Sequence, residues 1–282
     1  MTSYNPFARR ESHPTSALST YRILVPLSWM LVVIVGIYYT FHSPDVKHGH
    51  RIFKQGNKHT TPFSLNGTLA GIYWILILLS QISYVYHLFS RQTALVTSAA
   101  NIASHFILNN LALFIWILLW TRDHFWGSEI FLILNFINLH AAYWRHRRLP
   151  AFVHLPAIAG PYAWTLFGLF WNGAVAVNSD KLPARIVANV FIWVLFAVGS
   201  GHIASTQDYI LGYCLSWLML ALAVKQLAIK VIALQWIFAF VIFAIFLIES
   251  VYLSSTKYYG RDSLFRRVAH PETDREREPL LN

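Results

Sequence analysis

The chain has 282 residues, of which 56% are hydrophobic and only 12% charged, and it carries a formal net charge of +10. A nucleic-acid-binding domain would gather that charge on one folded face, but here the basic residues sit in short connections and tails between apolar runs, where membrane topology and lipid headgroups account for them. Nucleic acid is therefore not an expected partner, and with Cys214 as the single cysteine no internal disulfide or cysteine-based metal site can form.

Apolar runs of roughly 20 residues recur along the chain, the length that crosses the hydrocarbon core of a bilayer. The expected fold is all-α, a polytopic transmembrane helical bundle of about eight spans. It fills residues 22–252, between a polar, disordered N-terminal tail (1–21) and a basic cytosolic C-terminal tail (253–282). The first span runs from about Arg22 to Phe41 and lacks a small-residue cleavage site, so it reads as a retained helix. The connection from His42 to Thr61 mixes His42, His48, His50 and His59 with lysines and an arginine and reads as a solvated loop. A zinc site at His48 and His50 is conceivable, although zinc cages usually recruit Cys or carboxylate at more regular spacing.

The second span, about Phe63 to Phe89, carries Gly67 and Gly71, a small pair that lets another element approach closely, with Gln81 and Tyr84 further along. Asn66-Gly67-Thr68 matches a glycosylation sequon but abuts the span, where a glycan could hardly be attached. In the third span, from about Val96 to Trp120, helical steps align Asn101, His105, Asn109, Ala112, Trp116 and Trp120 along one side. Such a file cannot face lipid and must meet other helices or a cavity. The fourth span, about Gly127 to Trp144, sets Asn135 and Asn138 one turn apart. After the basic loop RHRRLP comes the fifth, Phe152 to Val177, where Pro156 and Pro161 predict a kink with Trp164, Trp171 and Asn172 beyond it. The sixth, about Ala184 to Ile203, carries Asn189 and Trp193, and the seventh (about Tyr209 to Val224) and eighth (about Val231 to Tyr252) close the bundle.

An even number of spans puts both tails on one side. Thirteen Lys and Arg residues fall on that side and nine opposite, so the positive-inside bias favours cytosolic tails. Asp123, Glu129, Asp208 and Glu249 lie near span ends, which disfavours a carboxylate-coupled pump. Phosphate-loop, zinc-protease and nucleophile-elbow motifs are absent, so no catalytic residue and no cofactor is expected. The candidate ligand-binding set is Asn101, His105, Asn109, Asn135, Asn138, Trp164, Trp171, Asn172 and Trp193, converging on one interior surface. Such a surface either lines a pocket for a lipophilic small molecule or only packs helices, as in a membrane scaffold.

The stretches TPFSLNGTLAGIYW, SHFILNNLALFIWILLW, HLPAIAGPYAWTLFGLFWNGAV and LPARIVANVFIW resemble a fungal family of multi-span membrane proteins of unknown function. More distantly, the Thr-Pro opening, the Trp-ended third span and the Pro-Trp fifth span look like the longer tryptophan-rich sensory proteins related to the translocator protein. That resemblance implies binding of porphyrin-like or sterol-like ligands. Where the wider group tends to place a Trp before the Ile-Tyr of the second span, this chain reads Ala70 and Gly71.

The last residues, TDREREPLLN, place Glu276 four positions before Leu280 and Leu281. This is the acidic-xxx-Leu-Leu pattern that clathrin adaptors read on flexible cytosolic tails, and resemblance to known cargo implies delivery to the vacuole or lysosome, the alternative being the endoplasmic reticulum or plasma membrane.

Overall fold

A chain of apolar runs joined by short polar connections can satisfy its backbone most directly by coiling each run into a helix. The computed structural model of the protein describes residues 4–146, 149–177, 182–229 and 234–259, and contains no strand among them. Its elements are α1 (Thr15–Phe41), α2 (Ile52–Lys58), α3 (Gly67–His87), α4 (Thr93–Trp120), α5 (Phe125–Arg145), α6 (Ala151–His154), a π-helical turn (Leu155–Ala159), α7 (Gly160–Ala176), α8 (Leu182–Thr206), α9 (Tyr209–Ile229) and α10 (Gln235–Tyr259). Among the described residues six helices, α1, α3, α4, α8, α9 and α10, are long and apolar enough to cross a membrane. α5 falls outside that set because Asn135, Asn138 and His140 dilute it, and α7 because the π turn leaves it only 17 residues.

α4 and α9 are the inner helices, each more than half buried, while α1, α3, α8 and α10 turn broad apolar faces outward. α4 is enclosed on several sides: Ile102, Phe106 and Leu113, which lie off its polar file, are buried as deeply as Asn109. α1 and α5 pack against α4, α7 packs against α5, and α9 pairs with α10. Small residues set the closest approaches, since a Cβ built at Gly199 would stand 2.6 Å from Phe246 Cζ.

The expected kink in the fifth run is a π turn. In that register the N–H that Pro161 lacks would have served the Pro156 carbonyl, and Gln81 Nε2 of α3 donates to it instead at 3.1 Å. One turn on, Tyr73 Oη donates to the Gly160 carbonyl at 2.7 Å and Thr165 Oγ1 donates to the Pro161 carbonyl at 2.8 Å. α3 therefore presents two donors, Tyr73 and Gln81, to carbonyls of the bend.

The connection read as a solvated loop is largely exposed from 42 to 51, but beyond that it differs: Gln55, Gly56 and Thr61 are buried, and α2 hooks back across the helix ends. Trp120 Nε1 donates to the Ile52 carbonyl at 3.1 Å, Gln55 Nε2 donates to the Trp120 carbonyl and to Asp123, and Gly56 lets α2 sit on the Trp171 ring. Gln226 and Gln235 donate to the carbonyls of Thr61 and Pro62, so the end of the loop is held from α9 and α10. The charged residues Lys47, Arg51, Lys54 and Lys58 stay exposed, and glutamines, Gln55, Gln226 and Gln235, supply the bonds to backbone carbonyls. Gly67 and Gly71 do admit a close neighbour, and it is Phe53 of α2. Asn66 caps α3 by accepting from the Leu69 N–H at 3.1 Å.

The N-terminal segment also departs from a free tail: α1 begins at Thr15, and residues 4–14 lie against the bundle. Asn101 Oδ1 accepts from the Arg10 N–H at 2.8 Å and its Nδ2 donates to the Arg10 carbonyl at 2.9 Å, as a strand partner would. The last residues, with Glu276, Leu280 and Leu281, lie outside the described residues.

The bend generates a stability prediction. A Cβ at Gly160 would collide with Ile77 Cδ1 and stand 3.0 Å from the Leu155 carbonyl, whereas one at Gly201 meets nothing within 4 Å. Gly160→Val is expected to cost about 1–3 kcal/mol and lower the thermal midpoint of the detergent-purified protein, whereas Gly201→Ala, which adds helix propensity without a clash, is expected not to lower it.

Candidate functional site

The polar file of α4 is spent on bonds between elements. At one end Asn101 grips the N-terminal segment, and one turn on His105 Nδ1 bonds Asn138 Oδ1 at 2.8 Å while Asn138 Nδ2 donates to the His105 carbonyl at 2.9 Å. At the next turn Asn135 Nδ2 donates both to Asn109 Oδ1 at 2.9 Å and to Thr165 Oγ1 at 3.1 Å, tying α4, α5 and α7 together. The structure thus brings His105, Asn109, Asn135 and Asn138 onto one interface. Asn172 lies apart from them, accepting from Ser128 Oγ at 2.7 Å and donating to Glu129 Oε2 at 2.7 Å. Asn101 serves the bundle end. Trp193 is not interior: it is 40% exposed on α8 and packs on Phe238, because its turn of α8 faces outward. The expected single surface therefore divides into separate packing contacts, and none of these polar side chains lines the apolar cavity described next.

That cavity, of about 260 Å³, lies between α1, α2, α3, α4 and α7. Trp74, Trp116, Trp164 and Trp171 wall it, with Val32, Leu113 and Ile117 beside them and Ile37, Phe41 and Ile75 at an open side. Trp74 meets Trp164 edge-on at 5.1 Å between centroids, and Trp171 meets Trp120 at 4.8 Å. The indole Nε1 atoms of Trp116, Trp164 and Trp171 are buried with no hydrogen-bond partner, although the neighbouring Trp120 and Trp217 donate to backbone carbonyls. Gly36 and Gly71 face the opening from α1 and α3, and a Cβ at Gly36 would meet nothing within 4 Å. Of the expected set only Trp164 and Trp171 line this space. Trp74 escaped sequence reasoning, although it follows Gly71 by one helical step and so shares its face.

A second cluster sits at the end of the bundle that carries the N-terminal segment. Asp208 caps α9 through Oδ1, which accepts from the N–H groups of Ile210 and Leu211, while Oδ2 accepts from Tyr143 Oη at 2.8 Å and bonds His154 Nε2 at 2.6 Å. Burial raises the Asp208 carboxyl, but the bonds from His154 and Tyr143 outweigh it and hold the group below its ordinary range. All its lone-pair directions are used, which makes it a joint between α5, α6 and α9. Among the described residues no three His, Cys, Asp or Glu side chains stand together as a metal site.

Residues 185–281 match a family described as "Fungal protein of unknown function (DUF1774)". The chain is similar to the uncharacterized protein C637.03 of Schizosaccharomyces pombe, at 25% identity over 191 residues that cover 66% of this chain and 71% of that protein. No solved structure matches. The family match begins after Trp171, so it covers α8 to α10 and none of the cavity wall.

Beside the N-terminal segment His146 ends α5, 2% exposed and with an unpartnered Nε2. Burial first, then repulsion from His105, Arg145 and Arg9, push its imidazole from 6.5 down to about 4. The folded protein therefore binds this proton less readily than the unfolded chain. Its contribution to stability is complete above pH 6.5 and is lost as pH falls toward about 4. Thermal midpoints measured across that window are expected to fall on acidification, with a shallower slope in His146→Asn.

Proposed function

We propose that the chain is a multi-pass membrane protein of eight spans that binds a lipophilic small molecule in its tryptophan-walled cavity, admitted sideways from the bilayer. The observation that carries this reading is the cavity itself: an apolar space with a flat aromatic wall and an opening between α1 and α3, at two glycines, onto the apolar outer face. The alternative, a scaffold whose polar faces only pack helices, accounts for Asn109, Asn135, His105 and Asn138, all of which are spent on packing. It leaves the space among the tryptophans without a role. The resemblance to tryptophan-rich sensory proteins points in the same direction. Purified in mild detergent, the wild type is expected to be stabilised against heat by lipophilic compounds, by about 2.7 kcal/mol at a hundredfold excess over Kd. Gly36→Leu has room at its Cβ and is expected to keep the unliganded midpoint while losing the ligand shift, because its side chain fills the mouth.

The address rests on the sequence of the tail. With both tails cytosolic, Glu276, Leu280 and Leu281 are available to a clathrin adaptor, which delivers the protein to the vacuolar membrane. A tagged Leu280→Ala, Leu281→Ala double variant is expected at the cell surface or in endosomes. An unchanged vacuolar location would remove the motif from the account.

A further inference from the structure

The N-terminal segment walls a second space. Tyr4, Pro6 and Phe7 line a groove of about 500 Å³ on the flank of α1 and α4, continued by Leu24, Ile107 and Leu108. Its lining shares no residue with the tryptophan-walled cavity. From Ala17 to Leu24 it follows about 10 Å of α1 away from the bundle end. Leu24 and Leu108, both exposed, open it onto the apolar outer face. The hydroxyls along it are engaged, since Thr20 donates to the Ser16 carbonyl at 3.0 Å and Tyr21 and Ser104 bond each other at 3.0 Å.

Three guanidiniums gather where this groove meets the bundle end. Arg10 stacks on the ring of Tyr4, 4.6 Å from its centroid, and Arg145 Nη1 donates to the Phe7 carbonyl at 2.7 Å. Arg9, exposed, lies two residues beyond Phe7, and its charge and that of Arg145 both reach His146. Among the described residues the ion pairs are Lys58 with Asp123, His59 with Asp123 and His154 with Asp208, so none of these arginines has a carboxylate. Glu11, the acid of the segment, is exposed and pairs with none of them. Like charges gathered at a membrane surface repel one another, and an anion seated among them relieves that repulsion.

We infer, resting on the multi-pass reading with cytosolic tails but not on the tryptophan-walled cavity, that this groove seats an anionic phospholipid of the cytosolic leaflet. One acyl chain lies along Leu24, Ile107 and Leu108, and the phosphate meets Arg9, Arg10 and Arg145. Charge complementarity selects the headgroup. A choline lipid carries its own cation into a site that already holds three, whereas a headgroup of net negative charge does not. The groove selects a lipid over free phosphate, because its far end is apolar and gains only from a chain removed from water or detergent. Guanidinium suits the task, since its planar fork meets phosphate oxygens in pairs.

Three probes separate the sources of phosphate: dioctanoyl phosphatidylglycerol, dioctanoyl phosphatidylcholine and glycerol 3-phosphate, with affinities taken from the ligand dependence of the thermal midpoint in non-ionic detergent at low salt. The anionic lipid is expected to bind about tenfold or more tightly than either of the others, and its lead over the choline lipid is expected to shrink as salt rises. Arg9→Gln removes an exposed charge and is expected to weaken the anionic lipid about fivefold while leaving the choline lipid unchanged. Thr20→Phe, on the exposed side of α1, fills the groove and is expected to weaken both lipids. Gly36→Leu fills the other cavity and is expected to alter none of the three affinities. Two lipids bound within twofold of each other, or glycerol 3-phosphate bound as tightly as the anionic lipid, would overturn the assignment. A lipid effect abolished by Gly36→Leu belongs to the tryptophan-walled cavity and overturns it as well. Retention of the protein in carbonate-washed membranes tests the multi-pass reading by itself, so the two failures are told apart.

Discussion

A buried backbone carbonyl that has lost its helical partner needs a donor from elsewhere, and an uncharged carboxamide supplies one at far lower desolvation cost than an ammonium or guanidinium. In this chain Gln81 reaches the Pro156 carbonyl that the bend leaves without an N–H, and Gln55 reaches the Trp120 carbonyl at the end of α4. Asn138 adds a second bond to the His105 carbonyl, and Gln226 and Gln235 hold the loop carbonyls of Thr61 and Pro62, each joining two elements remote in sequence. The carbonyl oxygens of Gln55, Gln226 and Gln235 have no partner, so these amides act through what they donate. Remove them and the bend, the α2 hook and the loop before α3 lose what holds them.

The two ends of the bundle are closed differently. At one, a hook of seven residues held by α4, followed by a loop held by α9 and α10, forms the floor beneath the tryptophans. At the other, the N-terminal segment is held by Asn101, and Asp208 joins three helices through four bonds. Between these closures the interior is aromatic on one side and amide-rich on the other, and the tryptophan-walled cavity lies on the aromatic side.

Run length and composition made the helices legible, and Asn101, His105 and Asn109 along α4 meet protein, as do Ile102 and Phe106 off their file. The function of that side was less legible, because a periodic pattern says that a residue is inside and not whether it touches a neighbour or a void. The cavity draws on five elements, and its shape depends on rotations between helices that no local pattern records. Trp193 shows the converse: a tryptophan in an apolar run carries little phase information, since it suits the outer face as well as the core. The α2 hook was hidden for another reason. Lys54, Lys58 and Gln55 look like solvent-facing residues, yet Gln55 is fully buried by one donor geometry that composition cannot signal.

α3 carries two sets of side chains with different duties. Gly71 and Trp74 border the cavity, while Tyr73 and Gln81 hold the bend that Pro156 and Pro161 impose. Because Pro161 has no N–H with which to replace the Gln81 donor, that bond fixes α3 against the bend, so the helix that borders the cavity is tied to the proline that breaks the fifth run.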